Sequence, residues 1–384
     1  MLELDVGPVA HGGHCVARAP DGRVVFVRHA LPGERVVARV TEERPGYLRA
    51  DAVSVLVASP DRVTPPCPYA APVLRSEPRP AATGRRMGVA CGGCDFQHVA
   101  PAAQRELKAA VVVEQLTRLG RLSPDELPPV LVEELPGGPL GWRTRVRYSV
   151  DASGRAGLLA HRSHEVVPVE RCLIAHPALP VIGGTVVASS GGDVAVFADG
   201  ESPGTVTEVA VGRRWRLPAD VFWQVHPSAP DALAAAVLSF LAPSPGEWAW
   251  DLYGGAGLFS AALAPAVAAV TLVESDRGAV AAAHSNLADL TNVHIVRSTV
   301  ERFRSRESPD LVVLDPPRRG AGAPIVQRLV AAGPRAVAYV ACDPAAFARD
   351  VATFRTAGWR LAGLRAFDAF PMTHHVECVG LLVP

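Results

Sequence analysis

Lysine is almost missing from this 384-residue chain: Lys108 is the only one, and the rest of the 38 basic residues are arginine. The plain explanation is a GC-rich coding bias, which abundant Ala, Val, Gly and Pro support, although arginine is also the better fork for phosphate and base stacking. Net charge is missing too. The 38 acidic residues cancel the basic ones to +0, so no global basic field announces a nucleic-acid partner and only a local patch could. No apolar run approaches the ~18 residues of a membrane span, and the opening MLELDVGPVAHGG lacks a basic stretch followed by an apolar one. A membrane is therefore not expected as a partner, and the cytosol is the expected compartment. Low-complexity segments and repeats with a period of roughly 20 to 50 residues are absent as well, which removes solenoids and disordered tails.

What is present is a globular balance. Hydrophobic residues make up 49% and charged residues 20%, at a mean hydropathy of +0.18, over a length that suits two or three domains. The expected fold class is multidomain α/β. Residues 1–58 alternate β-branched runs with the turn pairs Asp21-Gly22 and Pro32-Gly33, and read as a small antiparallel OB-like barrel of about five strands, a shape that commonly binds nucleic acid. Residues 59–97 form a cysteine-bearing loop, irregular over 61–86 where Pro, Ala and Arg abound. Residues 98–122 read as a helix, opened by Pro101 and stopped by Gly120, that packs on the catalytic domain. Strand-like alternation returns over 123–225 as a central β-rich domain. From 226 to 384 apolar strands alternate with Ala-rich helices, which implies a mostly parallel sheet with ligands at the carboxyl ends of its strands.

The chemistry lies in a few motifs. In DLYGGAGLFS (251–260) an apolar strand enters a glycine-rich turn, where Gly255 lets a ligand approach the backbone. A tight turn alone would explain the glycines, but Glu274 ends the next strand, where a carboxylate can accept from ribose hydroxyls. Ser260 stands where a dinucleotide fingerprint wants its third glycine, so the turn favours S-adenosylmethionine (SAM), which has no pyrophosphate to cradle, over NAD. In DPPRRG (315–320) two prolines stiffen the backbone behind Asp315. In VACDP (340–344) Cys342 stands at the tip of the next strand. A lone cysteine is most often a buried filler, yet this one belongs beside Asp315 and near FDAFPMTHHVE, which brings His374, His375 and Glu377. Alone, those three read as a satisfied histidine pair and a solvated glutamate. Cys67, the CGGC of Cys91 and Cys94, and Cys172 make a four-thiolate set that would satisfy zinc or a 4Fe–4S cluster equally well. The odd total of seven cysteines argues against a disulfide framework, and Cys15 and Cys378 are expected to be apolar fillers.

Taken in order, FWQ, DLYGGAG, DPPRRG, YVACDP and FPMTHHVE resemble the RNA uracil-5-methyltransferase family. The four cysteines and the N-terminal barrel resemble its iron–sulfur members, which carry a TRAM domain and act on ribosomal or transfer RNA. This resemblance spans nearly the whole chain. It implies a Rossmann-like class I SAM methyltransferase domain over 226–384 and a 4Fe–4S cluster on Cys67, Cys91, Cys94 and Cys172. It further implies that Gln224, Tyr253, Gly255, Glu274 and Asp315 hold SAM or position the uracil. Cys342 would be the nucleophile and Glu377 the base, in a reaction through a covalent adduct at uracil C6. The RNA expected is 23S ribosomal RNA, with transfer RNA the alternative, and the enzyme is expected to act as a monomer. A catalytically inactive RNA-binding or chaperone protein is the rival reading, against which Cys342 and Glu377 both stand. The chain departs from the family at Asp343 and His226, where Asn is usual, and at Leu258, where a polar residue is usual. The gap from Cys67 to Cys91 is also longer than usual.

Overall fold

The computed structural model describes residues 1–70, 90–179, 193–197, 200–202 and 204–384. The irregular loop expected over 61–86 is thus described only as far as Ala70, and the rest of it lies outside the described residues. The chain forms two compact units, each assembled from separated stretches. One takes Met1–Val111, Gly138–Ala198 and Phe370–His374; the other takes Val112–Gly137, Asp199–Ala369 and His375–Pro384.

In the first unit β1 (Leu2–Ala10), β2 (His14–Arg18), β3 (Val24–Arg28), β4 (Arg35–Arg44) and β5 (Tyr47–Val57) close into a barrel of order β1-β2-β3-β5-β4. Alternating side chains fill it, among them Leu4, Val6, Val25, Val27, Val36 and Ala38, all buried. One pairing departs from the antiparallel barrel expected. β3 runs parallel to β5, with Val24 against Tyr47 and Arg28 against Asp51. The reason is topological: β4 reverses the chain and pairs on the far side of β5, so β5 returns to β3 in β3's own direction. The barrel core continues into Phe96, Val99, Ala103 and Val111. Helix α1 (Pro101–Arg118), expected to pack on the catalytic domain, therefore lays its first half on the barrel, because Ala103, Leu107 and Val111 share one face at helical spacing. Strand β6 (Val132–Glu134) follows and belongs to the other unit. β7 (Arg145–Val150), β8 (Ala156–Leu159), β9 (Val166–Pro168) and β10 (Asp193–Phe197) complete the first unit as an antiparallel sheet of order β10-β7-β8-β9.

The second unit opens with the antiparallel β11 (Gly200–Ser202), β12 (Thr205–Ala210) and β13 (Arg213–Pro218). The stretch 123–225, expected as one domain, therefore contributes to both units. Then come α2 (Ala229–Leu241), β14 (Trp248–Leu252), α3 (Leu258–Leu263), β15 (Ala269–Glu274), α4 (Arg277–Asn286), β16 (Val293–Arg297), β17 (Leu311–Leu314), α5 (Ala323–Ala332), β18 (Ala336–Ala341), α6 (Pro344–Thr356), β19 (Arg360–Asp368) and β20 (Glu377–Val383). They build an eight-stranded sheet of order β16-β15-β14-β17-β18-β20-β19-β6. β14 to β18 are parallel and β20 is antiparallel to both its neighbours. Every residue of β17 and β18 is buried, as strands covered on both faces require. Strand order reverses between β14 and β17, and at such a switch point a crevice opens at the carboxyl ends. Among the described residues no helix is long and apolar enough to cross a membrane.

Candidate active site

At the switch point, the turn after β14 is held in a shape few side chains allow. Tyr253, Gly255 and Gly257 all have left-handed backbone, at φ 62°, 55° and 98°. A Cβ on Gly257 would lie 2.5 Å from Leu287, and one on Gly254 2.7 Å from Leu272, so these two glycines are demanded by packing. A Cβ on Gly255 would meet nothing, so this is the glycine that faces open space. Its N–H donates to Glu274 Oε2 at 3.0 Å, while Ser275 and Asp276 donate their N–H groups to Oε1 at 2.6 and 2.7 Å. Three backbone donors thus aim the Glu274 carboxylate at the tip of β15. Beneath the turn, buried Asp251 accepts from the N–H and hydroxyl of Ser260 at 2.9 and 2.6 Å. Burial pushes Asp251 up to about 6. Ser260 stands in place of a third glycine because it ties the first turn of α3 to the strand. Leu258, where the family has a polar residue, is buried in that same turn.

The reactive cluster stands at the next strand tips. Register pairs Ala341 of β18 with Cys378 of β20, so Cys342 and Glu377 are the next residues outward on these antiparallel neighbours, near enough for the charge of Glu377 to act on the thiol. Asp315 follows β17, one strand over. Burial, then the charges of Glu377 and Asp315, push the Cys342 thiol up to about 12. Burial, then the charge of Asp315, holds Glu377 well above the usual carboxylate range. Asp315 is raised to about 7 by burial and by Asp251 and Glu274. Burial is the largest cause of all three shifts, and neighbouring acidic groups add to it. Glu377 Oε2 is buried with no hydrogen-bond partner among the described residues, so it has an unmet demand that a substrate could fill. Cys342 is half-buried, which separates it from Cys15 and Cys378, the sealed fillers.

Asp343, where the family has Asn, is the N-cap of α6 and accepts from Ala346 N–H at 2.8 Å, a role either residue fills. His374 is a satisfied histidine: its Nδ1 lies 2.6 Å from Asp95 in the first unit. Gln224 is buried, on a segment anchored by Trp223 packing against Trp215 with ring centroids 5.0 Å apart. His226 is buried and lowered to about 4 by desolvation, hence neutral. Burial, then the charge of Glu301, pushes the Tyr253 hydroxyl up to about 12. Sequence reasoning passed over Arg318, the cation whose charge opposes the upward shifts of Cys342 and Glu377; its signal was the Arg-Arg pair directly behind an acid and two prolines.

In the first unit, Cys67, Cys91, Cys94 and Cys172 line one cavity of about 40 Å³. Burial and the thiols of Cys172, Cys91 and Cys67 push the Cys94 thiol up, so the four sulfurs act on one another. All seven cysteines are unbridged. Among the described residues no three His, Cys, Asp or Glu side chains converge to hold a single metal ion.

This fold is a SAM-dependent methyltransferase joined to a small nucleic-acid-binding type of barrel. The chain matches the TRAM domain over residues 1–53 and the tRNA (Uracil-5-)-methyltransferase family over residues 243–384. An RNA methyltransferase of Streptomyces avermitilis is 46% identical, covering 100% of this chain and 98% of that one. The 23S rRNA (uracil(1939)-C(5))-methyltransferase RlmD of Chromohalobacter salexigens is 31% identical over 99% of this chain and 88% of its own. The crystal structure of Pyrococcus abyssi tRNA (uracil-54, C5)-methyltransferase with S-adenosyl-L-homocysteine shares the fold, at a TM-score of 0.69 and 19% identity, covering 99% of each chain. The chain belongs to the RNA uracil-5-methyltransferase family, and is a TRAM-containing, SAM-dependent enzyme of that family.

Proposed function

We propose that the enzyme converts a uridine of 23S ribosomal RNA to 5-methyluridine through a transient bond between Cys342 and uracil C6. The observation that carries this reading is that Glu377 and Cys342 follow the last register pair of two antiparallel neighbours, Ala341 and Cys378, and that the charge of Glu377 acts on the thiol. Uracil C5 is too poor in electrons to take a methyl group unaided. Bonding of the Cys342 sulfur to C6, with the thiol proton leaving to water, moves the C5=C6 electrons into an enolate and makes C5 nucleophilic. SAM supplies an electrophilic methyl group to C5 and departs as S-adenosylhomocysteine. Glu377, once ionised, takes the C5 proton; the C6–S bond breaks, C5=C6 reforms, and the thiolate regains a proton. Gly255 and Glu274 would hold the SAM nucleoside, where the open glycine and the aimed carboxylate fit it. Gln224, Tyr253 and Asp315 would complete the SAM and uracil contacts.

The four thiols would hold a 4Fe–4S cluster. Their shared cavity can take zinc or the cluster, and the family resemblance is what favours the cluster. Its role here would be structural. The enzyme would act as a cytosolic monomer on RNA.

Cys342→Ala is expected to abolish methylation while S-adenosylhomocysteine still binds, and Glu377→Gln to accumulate an enzyme–RNA adduct that survives a denaturing gel. Normal turnover by Cys342→Ala would remove the nucleophile. Mapping 5-methyluridine in a strain lacking the gene decides the RNA: loss from 23S alone supports the proposal, and loss from transfer RNA replaces it with the alternative.

A further inference from the structure

A second cavity lies in the first unit, between the barrel and the turn that follows β8. It measures about 340 Å³, within the range of small-ligand pockets and suited to one nucleotide rather than a duplex. β3 and β5, the parallel pair, supply Phe26, Arg28 and Arg49; the turn supplies His161 and Arg162. That turn is pinned from behind. Gly92 N–H donates to Leu159 O at 2.9 Å, and a Cβ on Gly92 would lie 2.6 Å from the His161 nitrogen.

The cavity holds more positive charge than its carboxylates compensate. Arg28 Nε lies 3.8 Å from Asp51 and Arg49 Nε 3.3 Å from Glu42, yet Arg49 Nε is buried without a hydrogen bond. Arg162 has no ion pair or hydrogen bond among the described residues. It also adopts φ 50°, a left-handed backbone that costs an L-residue about 1 kcal/mol and a glycine nothing. Burial and then the surrounding arginines hold His14 and His161 near 4, so both imidazoles are neutral at pH 7 and each offers one donor and one acceptor. The Arg49 guanidinium covers Phe26 and Tyr47, 5.8 and 5.5 Å from the ring centroids, which makes it a platform. Arginine planes and neutral polar edges are what an unstacked RNA base meets in single-strand recognition.

We propose that this cavity is a nucleotide-binding subsite for single-stranded RNA, holding one phosphodiester between Arg49 and Arg162 and the adjoining base on the Arg49 plane, separate from the uridine that Cys342 attacks. It rests on RNA being the substrate. The test uses the full chain and a fluorescent oligoadenylate 12-mer, which has no uridine to enter the methylation site. Wild type should bind it, and Arg162→Gln and Arg49→Gln should each weaken binding about tenfold and lower the salt slope by about one. Arg162→Gly should weaken binding as much while its Tm stays at or above that of wild type, because the left-handed strain is relieved. Wild type that fails to bind, variants that bind as tightly as wild type, or a polyphosphate of equal charge that competes as well as the oligonucleotide would each overturn the proposal. Loss of methylation in Cys342→Ala together with unchanged oligoadenylate binding by the arginine variants would leave the methyltransferase reading standing and this subsite refuted. The reverse pattern would refute the nucleophile and keep the subsite.

Discussion

Cys342 rests in the wrong protonation state for its proposed work, and burial disfavours the working form of Glu377. Both are shifted upward, Cys342 to about 12, so the thiolate is scarce at neutral pH and grows about tenfold for each pH unit gained below that value, and burial moves the ionisation of Glu377 in the same direction. Single-turnover methylation at saturating RNA is therefore expected to rise from pH 6 to 9 without a falling limb. Arg318 is the charge that eases both ionisations. Arg318→Ala should lower the rate at pH 8 several-fold and recover part of it at pH 9, because loss of the cation moves both groups further up. A bell-shaped profile centred below 8, or an Arg318→Ala profile parallel to wild type at every pH, would mean that deprotonation of this pair does not limit the step. The residue types here were legible in the sequence. Their electrostatics were not, because the shifts arise from the pairing of β18 with β20, which brings Glu377 opposite Cys342.

The loop that carries Asp315 and Arg318 is held by an element far along the chain. Asp350, buried on α6, accepts from the N–H groups of Ala321 and Gly322 at 2.8 and 3.1 Å and from the Tyr339 hydroxyl at 2.6 Å. A Cβ on Gly320 would lie 2.7 Å from Asp350 Oδ2, so the clamp also needs that glycine. Asp350→Asn keeps the size but gives one oxygen acceptor for work now shared by two. It should cost about 1–3 kcal/mol of stability, seen as a lower Tm, and should reduce the maximal rate more than the affinity for S-adenosylhomocysteine. An unchanged Tm and rate would show that the loop holds itself. DPPRRG announced a stiff strand tip, and the prolines do sit there. Asp350 was invisible, because an acid in an Ala-rich helix reads as a solvated face until the fold turns it inward. The same limit explains the sheet. Central strands such as LVVL and AVAYVA stand out as apolar runs, whereas β19, interrupted by Gly363, becomes a strand by pairing with β20, and β6, three residues long, by pairing with β19 at the edge.

At the scale of the whole molecule, the two units are interleaved along the chain, and one crossing bears on the cysteines. Phe370–His374 belongs to the first unit, while Glu377 is three residues beyond His374 in the second. That short stretch is gripped from within the first unit. Asp95 and Phe96 N–H groups donate to Met372 O at 3.0 and 2.9 Å, Lys108 Nζ donates to Phe370 O at 3.0 Å, and Asp95 pairs with His374. The chain's only lysine is spent, buried, on this grip. Burial opposes ionisation of Asp95, but the hydrogen bonds and charge of His374 prevail and hold it near 2, so Asp95 is a carboxylate at neutral pH. Asp95 follows Cys94 directly, so whatever fixes the four thiols also fixes the anchor of the segment leading to Glu377. No local pattern could reveal a partnership between residues 279 positions apart. Protein purified without oxygen should therefore contain iron, with a broad visible absorption band, and Cys94→Ser should lose both. The variant should also expose residues 370–374 to proteolysis and lose methylation, while S-adenosylhomocysteine binds as before, since Gly255 and Glu274 lie elsewhere. Stoichiometric zinc without iron would defeat the cluster, and full protection of 370–374 in an iron-free variant would break the link between the thiols and that anchor.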